Sequence, residues 1–591
     1  MIYKIKRFSG MLALFLAALV SCEKDDDVTG PENSGNGGEQ PVTEIFLSTD
    51  KARYDPGEEV EISVDEFPSN AMVRYKHLNE VVDEENLSSQ TWTWTPPSND
   101  FRGYMLEVFS EDEDGEEVIL GTVAIDVSSD WARFPRYGFL SKFGDIVDDK
   151  KEGIISNLNR YHINGLQFYD WHYKPHAPLA MENGSPQEMW RDIIDREIYF
   201  STVEDYINLA HQNNMKAMYY NLAYGALDDY EDYGIGEDWF LYNDRNQDRK
   251  DRHELPQPPF ISDIYLTDPS NPDWLEYLKD QNDLVYENLA FDGFHIDQLG
   301  SRDDVYDYSG NRVDLPNAFG NFIDEMKQDD AEKSMVMNAV DQYAQENIAN
   351  EEVDFLYTEV WSANSYGDLT EVITDNYEYS NNEKQTVLAA YMNYDLAENT
   401  GQFNTPGVLL TDAVIFAFGG AHLELGEHML GKEYFPNSNL SMSRDLQDRV
   451  TKYYDFMTAY ENLLRDGGDF NYPDVSTGDG KVNFGSWPPQ ASNVAVAGKR
   501  IGNKQVIHLL NFSQATTMNW RDNEGNQASP TPINNLLVNL QETGDISKVW
   551  FASPDFEGGA SMEIEFSPRN GQVLVRLPYL EYWSMIVVEY N

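Results

Sequence analysis

FDGFHIDQLG, residues 291–300, decides the reading of this chain. Apolar residues lead through Gly293–Ile296 to a carboxylate, Asp297, and Gly300 closes the turn behind it. The pattern predicts a short buried strand with an acid at its C-terminal end. In a barrel of parallel strands that end faces the mouth where chemistry occurs. A second stretch, DFLYTEVWS (354–362), predicts a similar strand ending on Glu359. Two carboxylates on neighbouring strand ends are what hydrolysis of a glycosidic bond needs.

Outward from these two segments the chain reads as strand then helix, repeatedly. Predicted strands are RYGFL (136–140), GLQFYDW (165–171), KAMYYNLAY (216–224), GFHIDQL (293–299), SMVMNAV (334–340), DFLYTEVW (354–361), TVLAAYM (386–392) and AVIFAFGGAHLELG (413–426). Helical periodicity falls between several of them, at 152–162, 202–214, 273–288 and 319–328. Eight such strands predict a central (β/α)8 TIM barrel over 130–470. Before it, 42–129 alternates apolar and polar residues between turn signals such as Asp55-Pro56-Gly57, the pattern of an immunoglobulin-like β-sandwich. Short alternating strands return over 471–591 and predict a C-terminal β-sandwich. The fold class is therefore multidomain α/β. The stretch from Tyr224 to Leu266 is the longest insertion and is expected to wall the cleft.

The N-terminus carries targeting signals. A basic start (Lys4, Lys6, Arg7) precedes an apolar run, Met11–Val20, and then Cys22, the only cysteine of the chain. Residues 1–22 resemble a lipoprotein signal peptide, with Cys22 as the lipidated residue. An ordinary signal peptide is the competing reading. Residues 23–41 read as a flexible tether, and its Glu23-Lys24-Asp25-Asp26-Asp27 start resembles the export signal of bacterial surface lipoproteins. The expected location is the outer membrane, cell-surface exposed, through a lipid anchor, with a monomeric enzyme beyond the tether.

Composition narrows the chemistry. The net charge of −61, from 42 basic and 103 acidic residues, argues against nucleic acid, whose phosphates would be repelled. Aromatic residues make up 13% of the chain, a share that suits stacking on the apolar faces of sugars and equally suits cores. One cysteine excludes an intrachain disulfide. Neither a metal nor another cofactor is called for. His172 and His176 are four apart, but Pro175 and Pro178 break any helix that would pair them on zinc. The chain lacks a GxSxG elbow, a P-loop and a GxGxxG fingerprint.

On this reading Asp297 is the nucleophile, with His295 or Asn338 as its hydrogen-bond partner. Glu359 is the acid/base, with Tyr357 and Trp361 positioned to desolvate it and raise its pKa. Structural ion pairing is the alternative for either acid. Asp170, Trp171, Tyr220, Asn221, His295, Gln298, Asn338, Trp361 and Glu424 are candidate substrate-binding residues.

Several long segments carry a resemblance: FPRYGFLSKFG (134–144), LNRYHINGLQFYDWHYKPHAPL (158–179), MKAMYYNLAYGA (215–226), FDGFHIDQLG and LYTEVW. Together they resemble glycoside hydrolase family 66, the dextranases and cycloisomaltooligosaccharide glucanotransferases. The resemblance implies a retaining enzyme acting on α-1,6-linked glucan, with the nucleophile on Asp297 and the acid/base on Glu359. Cyclising members carry a large insertion after the seventh barrel strand. Only about fifteen residues separate Met392 from Val408, so the expectation is an endo-dextranase. A cyclising transglycosylase and a non-catalytic glycan-binding lipoprotein are the alternatives.

Overall fold

A computed structural model describes residues 45–591 except 69, 113, 543 and 570. Cys22 and the tether lie outside the described residues. The first β region pairs a three-stranded sheet (Leu47–Thr49, Val60–Val64, Thr91–Trp94) with a four-stranded antiparallel one (Met72–His77, Glu80–Asn86, Arg102–Glu111, Glu117–Val127). Alternation along these strands sends Val60, Ile62, Val73, Leu106 and Val123 into a shared core.

The central region holds eight short strands: β1 (Tyr137–Leu140), β2 (Gly165–Phe168), β3 (Lys216–Leu222), β4 (Gly293–Asp297), β5 (Ser334–Met337), β6 (Leu356–Glu359), β7 (Thr386–Ala389) and β8 (Ala421–His422). β1 to β5 form one parallel sheet in chain order, and β6 to β8 form a second. Single parallel bridges join their edges, Asn338 to Tyr357 and Phe139 to Gly426. Helices α1 (Asp148–Arg160), α2 (Phe200–Gln212), α3 (Pro272–Asn288), α4 (Leu315–Asp329), α5 (Gln345–Ala349), α6 (Tyr366–Tyr379), α7 (Thr405–Ala417) and α8 (Arg444–Ala459) complete a (β/α)8-like arrangement. Two glycines permit close backbone approaches between these strands. A Cβ on Gly293 would meet the Ser334 carbonyl oxygen at 2.1 Å, and one on Gly426 would meet that of Phe139 at 2.4 Å. A side chain at either position would push β4 from β5, or the chain after β8 from β1.

One predicted strand is corrected. Residues 413–426 were expected to form the eighth strand, but the helix α7 runs to Ala417 and only Ala421–His422 is extended. Almost every residue of α7 is buried. An apolar run buried on all sides has no periodicity to separate helix from strand. Pro406 in its first turn and Gly419, at φ 82°, just past its end are the signals that mark a helix. The Tyr224–Leu266 insertion packs beside the loop after β4, held there by the Arg302–Asp251 ion pair at 2.6 Å.

The C-terminal region stacks a seven-stranded sheet, centred on Val494–Ile501, Lys504–Asn511 and Trp583–Tyr590, on a four-stranded one that includes Ile533–Leu540 and Gln572–Leu580. The loop between Asn511 and Ile533 leaves this sandwich and reaches the ends of β6 and β7.

A buried charge network joins the first β region to the central one. Arg136, just before β1, pairs with Asp126 and, at 3.2 Å, with Glu461, and all three side chains are fully buried. Burial and the neighbouring Asp126 raise the Glu461 carboxyl well above its usual range, so Glu461 holds its proton and Arg136 balances Asp126. Arg136→Met removes the guanidinium bonded to Asp126, leaving the buried Arg465 as the nearby cation, and is expected to cost roughly 3–5 kcal/mol in urea unfolding. A loss below about 1 kcal/mol would show that the network carries no net charge stabilisation.

Candidate active site

The strand register assembles the site. β3 and β4 pair so that Tyr220 lies opposite His295 and Leu222 opposite Asp297. Tyr220 and Asp297 thus emerge on neighbouring strands, and the Tyr220 hydroxyl donates to Asp297 Oδ2 at 2.7 Å. Asn338 follows the last residue of β5. Its Nδ2 donates to Asp297 Oδ1 at 2.8 Å and approaches Glu359 Oε2 at 3.3 Å, while its Oδ1 accepts from the Glu359 backbone N–H at 3.2 Å. One nitrogen with these two contacts limits the two oxygens to at most about 6.1 Å apart. For this oxygen pair the bound admits the ~5–5.5 Å carboxyl separation of a retaining pair.

The two carboxyls are tuned differently. Both are only partly exposed at the strand ends. Burial raises the Asp297 carboxyl, and three donors oppose the rise: the Tyr220 hydroxyl, the Asn338 amide and the Gln298 backbone N–H. Burial and the adjacent Asp297 charge push Glu359 up to about 7, against hydrogen bonds from Tyr391, Asn338 and Trp361. The Tyr391 hydroxyl donates to Glu359 Oε1 at 2.7 Å. The pair therefore favours one charged and one protonated carboxyl near neutrality, with the proton on Glu359.

The floor beneath them is aromatic. His295 lies between Tyr137 and Tyr220, with ring centroids at 5.8 and 6.0 Å, and meets the Tyr357 edge at 4.9 Å. Burial lowers its pKa to about 3, so it is neutral. It was one of two expected partners of Asp297, but its Nδ1 pairs with the Tyr137 hydroxyl at 3.2 Å. Asn338 takes the expected role. Asp170 has a left-handed backbone (φ 50°) and lies near enough to Asp297 for the two charges to interact. Burial raises its carboxyl to about 7, offset by Arg196. Trp361 is partly exposed beside Tyr391 and Tyr394, with centroids at 5.5 and 5.8 Å, and forms a wall of the cleft.

Four candidates do not line this space. Trp171 is fully buried against Trp190, Tyr219 and Phe291. The left-handed turn at Asp170 breaks the strand alternation that would have aimed it at the cleft. Asn221 is buried and donates to the Pro175 carbonyl at 2.9 Å. Gln298 is buried and ties its own loop, donating to Tyr343 O at 3.3 Å and accepting from Gly300 N–H at 2.8 Å. Glu424 is buried with Asp412 and His422, its Oε1 accepting from the Tyr454 hydroxyl at 3.1 Å. Ligand-type atoms of that trio lie within 4.8 Å of one another, as they do in the more exposed Asp283, Asp329 and Asp330. His422 is hydrogen-bonded on both nitrogens, to Asp412 at 2.8 Å and to the Ala390 carbonyl at 2.7 Å. Burial raises Glu424 to about 8 and Asp412 well above its usual range.

Three contributors escaped the sequence reading. Tyr391 lies two residues past β7 and holds Glu359. Tyr169 stacks on Phe435 with centroids 4.2 Å apart and tilts against Tyr220 at 5.0 Å. Arg521 comes from the C-terminal loop. Tyr391 and Tyr169 both lie near the ends of predicted strands, 386–392 and 165–171, as polar-tipped rings, whereas Arg521 has no such local signal.

The raised pKa of Glu359 has a stability consequence. A carboxyl raised from 4.5 to about 7 on folding loses relative stability as pH climbs between those values. Glu359→Gln removes that loss. The variant is expected to unfold at a higher temperature than the parent at pH 8, with a smaller gain at pH 5. An equal shift at both pH values would contradict the assignment of the proton to Glu359.

With this geometry in place, comparison with known proteins is informative. The model of glycosyl hydrolase family 66 matches residues 49–587. A cycloisomaltooligosaccharide glucanotransferase of Niallia circulans is 28% identical over 759 aligned positions, covering 99% of this chain and 76% of that protein. A dextranase of Streptococcus salivarius is 25% identical, covering 82% and 67%. A crystal structure of a Paenibacillus sp. cycloisomaltooligosaccharide glucanotransferase, complexed with cycloisomaltoheptaose, superposes with a TM-score of 0.83 at 27% identity, covering 92% of this chain and 99% of that one. These relatives overturn the expectation that the chain is most like a dextranase. The short loop after β7 misled because an inserted module can be absent without altering the strand ends where the chemistry lies. The 759 aligned positions exceed the 591 residues of this chain, so the transferase matches it almost end to end while carrying segments it lacks. The family model spans both β regions and the central strands that carry Asp297 and Glu359, and the chain belongs to family 66 of the glycosyl hydrolases.

Proposed function

We propose that this chain is a retaining transglycosylase acting on α-1,6-linked glucan and releasing cyclic isomaltooligosaccharides. The observation that carries the retaining mechanism is Asn338, which bonds both carboxyls and limits their separation. The names of the relatives that match most of the chain support the substrate and the transfer outcome.

In the first step Asp297 attacks the anomeric carbon while Glu359 gives its proton to the departing glycosidic oxygen. The C–O bond of the chain breaks and an ester bond from glucose to Asp297 forms. Hydrogen bonds from Tyr220, Asn338 and the Gln298 backbone favour the charged Asp297 that this attack needs. In the second step the Glu359 carboxylate takes the proton from a 6-hydroxyl at the far end of the same glucan. That oxygen displaces Asp297, closing the ring with the original anomeric configuration. A pKa of about 7 suits a group that must first donate and then accept a proton. Trp361 and Tyr169, partly exposed beside the acids, offer ring surface to the sugar.

Incubation with dextran, pullulan and starch tests the proposal. Mass spectrometry should find cyclic products from dextran, each lighter by one water than its linear counterpart. Glu359→Ala should lower turnover of dextran by roughly 100- to 10,000-fold, with azide restoring rate on an activated aryl donor. Linear products alone would contradict the transferase reading. Activity on starch without activity on dextran would contradict the linkage.

A further inference from the structure

We infer that Arg521, supplied by the C-terminal β region, is a positioning residue for the carboxyl of Glu359. The inference rests on the proposed acid/base role of Glu359.

Arg521 sits in the loop that leaves the C-terminal sandwich after Asn511 and returns at Ile533. It is nearly buried, at 8% exposure. Its two terminal nitrogens reach two different strand ends. Nη2 donates to the carbonyl of Val360, the residue after Glu359, at 2.8 Å. Nη1 donates to the carbonyl of Tyr391 at 3.3 Å, and the hydroxyl of the same tyrosine bonds Glu359 Oε1. One guanidinium thus holds both the backbone that carries the acid and the residue that orients its oxygen. It also lies behind the cleft wall, 5.5 Å from the ring centroids of both Trp361 and Tyr394.

The loop is itself anchored. Trp520 Nε1 donates to the Ala363 carbonyl at 2.8 Å, and the Asn393 backbone N–H donates to the Arg521 carbonyl at 2.8 Å. Asn393 Nδ2 adds a bond to the Asp522 carbonyl at 2.7 Å. The contacts form a clamp across the ends of β6 and β7, with Arg521 at its tip. A planar fork can serve two carbonyls on two strands at once, whereas a lysine ammonium at the end of a flexible stem cannot hold both in fixed geometry.

Losing the clamp frees Tyr391 to drift from Glu359. That hydroxyl favours the charged carboxylate, so its loss raises the Glu359 pKa further, and the alkaline limb of the pH profile moves upward. Loose geometry at the proton donor also slows the step that needs the donor most.

The test compares Arg521→Lys, Arg521→Met, Tyr391→Phe and Glu359→Ala in the full chain. Dextran serves as the natural donor and a 4-nitrophenyl α-isomaltoside as the activated one. On dextran both Arg521 variants should lose roughly 10- to 100-fold in kcat, with KM changing much less. The alkaline limb of kcat/KM should move upward in both, and in the same direction in Tyr391→Phe. Adding Tyr391→Phe to Arg521→Met should shift it little further. On the aryl donor, whose leaving group needs no proton, the first step should be spared. An unmoved limb, or equal losses on both donors, would overturn the inference. If Glu359→Ala itself retains activity on dextran, the acid/base reading fails. If Glu359→Ala behaves as described and the Arg521 variants do not, only the role of Arg521 fails.

Discussion

A single side-chain amide holds two carboxyls that would otherwise repel each other. Asn338 donates to Asp297, lies against Glu359 and takes a bond from the backbone beneath Glu359. Bringing two acids this close in a partly desolvated pocket forces them to divide their protons unequally. Asp297 collects three donors that favour charge. Glu359 has the negative charge of Asp297 as a neighbour and is pushed to about 7. The proposed division of labour between nucleophile and proton donor follows from this asymmetry. The neutral His295 below adds aromatic packing without adding charge.

The rest of the chain serves that spacing. Parallel register sets Tyr220 two positions before the level of Asp297 on the neighbouring strand, where its hydroxyl reaches the carboxyl, and the Asn338–Tyr357 bridge joins the two sheets that bear the acids. Arg136 locks the first β region to the entry of β1. The C-terminal sandwich sends a loop back to β6 and β7, so that a region far along the sequence touches the backbone beside Glu359. The two β regions therefore differ in their relation to the site. The first braces the scaffold, and the second reaches the strand ends beside Glu359.

Much of this was legible in the sequence because strand ends announce themselves. FDGFHIDQLG and LYTEVW each run from apolar residues to an acid, and Asn338 follows SMVM in the same manner. Side chains just past a strand were harder. Trp171 was expected in the cleft, yet the left-handed residue before it turns the ring into the core. Asn221, Gln298 and Glu424 were expected to meet sugar but bond to neighbouring loops and helices. The helix α7 was read as a strand because burial on every side erases periodicity. Tyr391 and Arg521 depend on contacts between segments distant in sequence, which no local pattern encodes. The expected likeness to dextranases rested on the length of one loop, and the relatives that match most of the chain overturn that likeness.

The central claim is that Asp297 forms a covalent bond to glucose while Glu359 manages the proton. Trapping tests it most directly. The protein would be treated with a 5-fluoro-α-glucosyl fluoride, which forms the glycosyl-enzyme quickly and releases it slowly, and then digested for peptide mass spectrometry. The account predicts one added fluoroglucosyl group, on the peptide carrying Asp297, with more of it surviving in Glu359→Ala than in the parent. A label on another carboxyl, or full turnover of the reagent by Asp297→Ala, would contradict it.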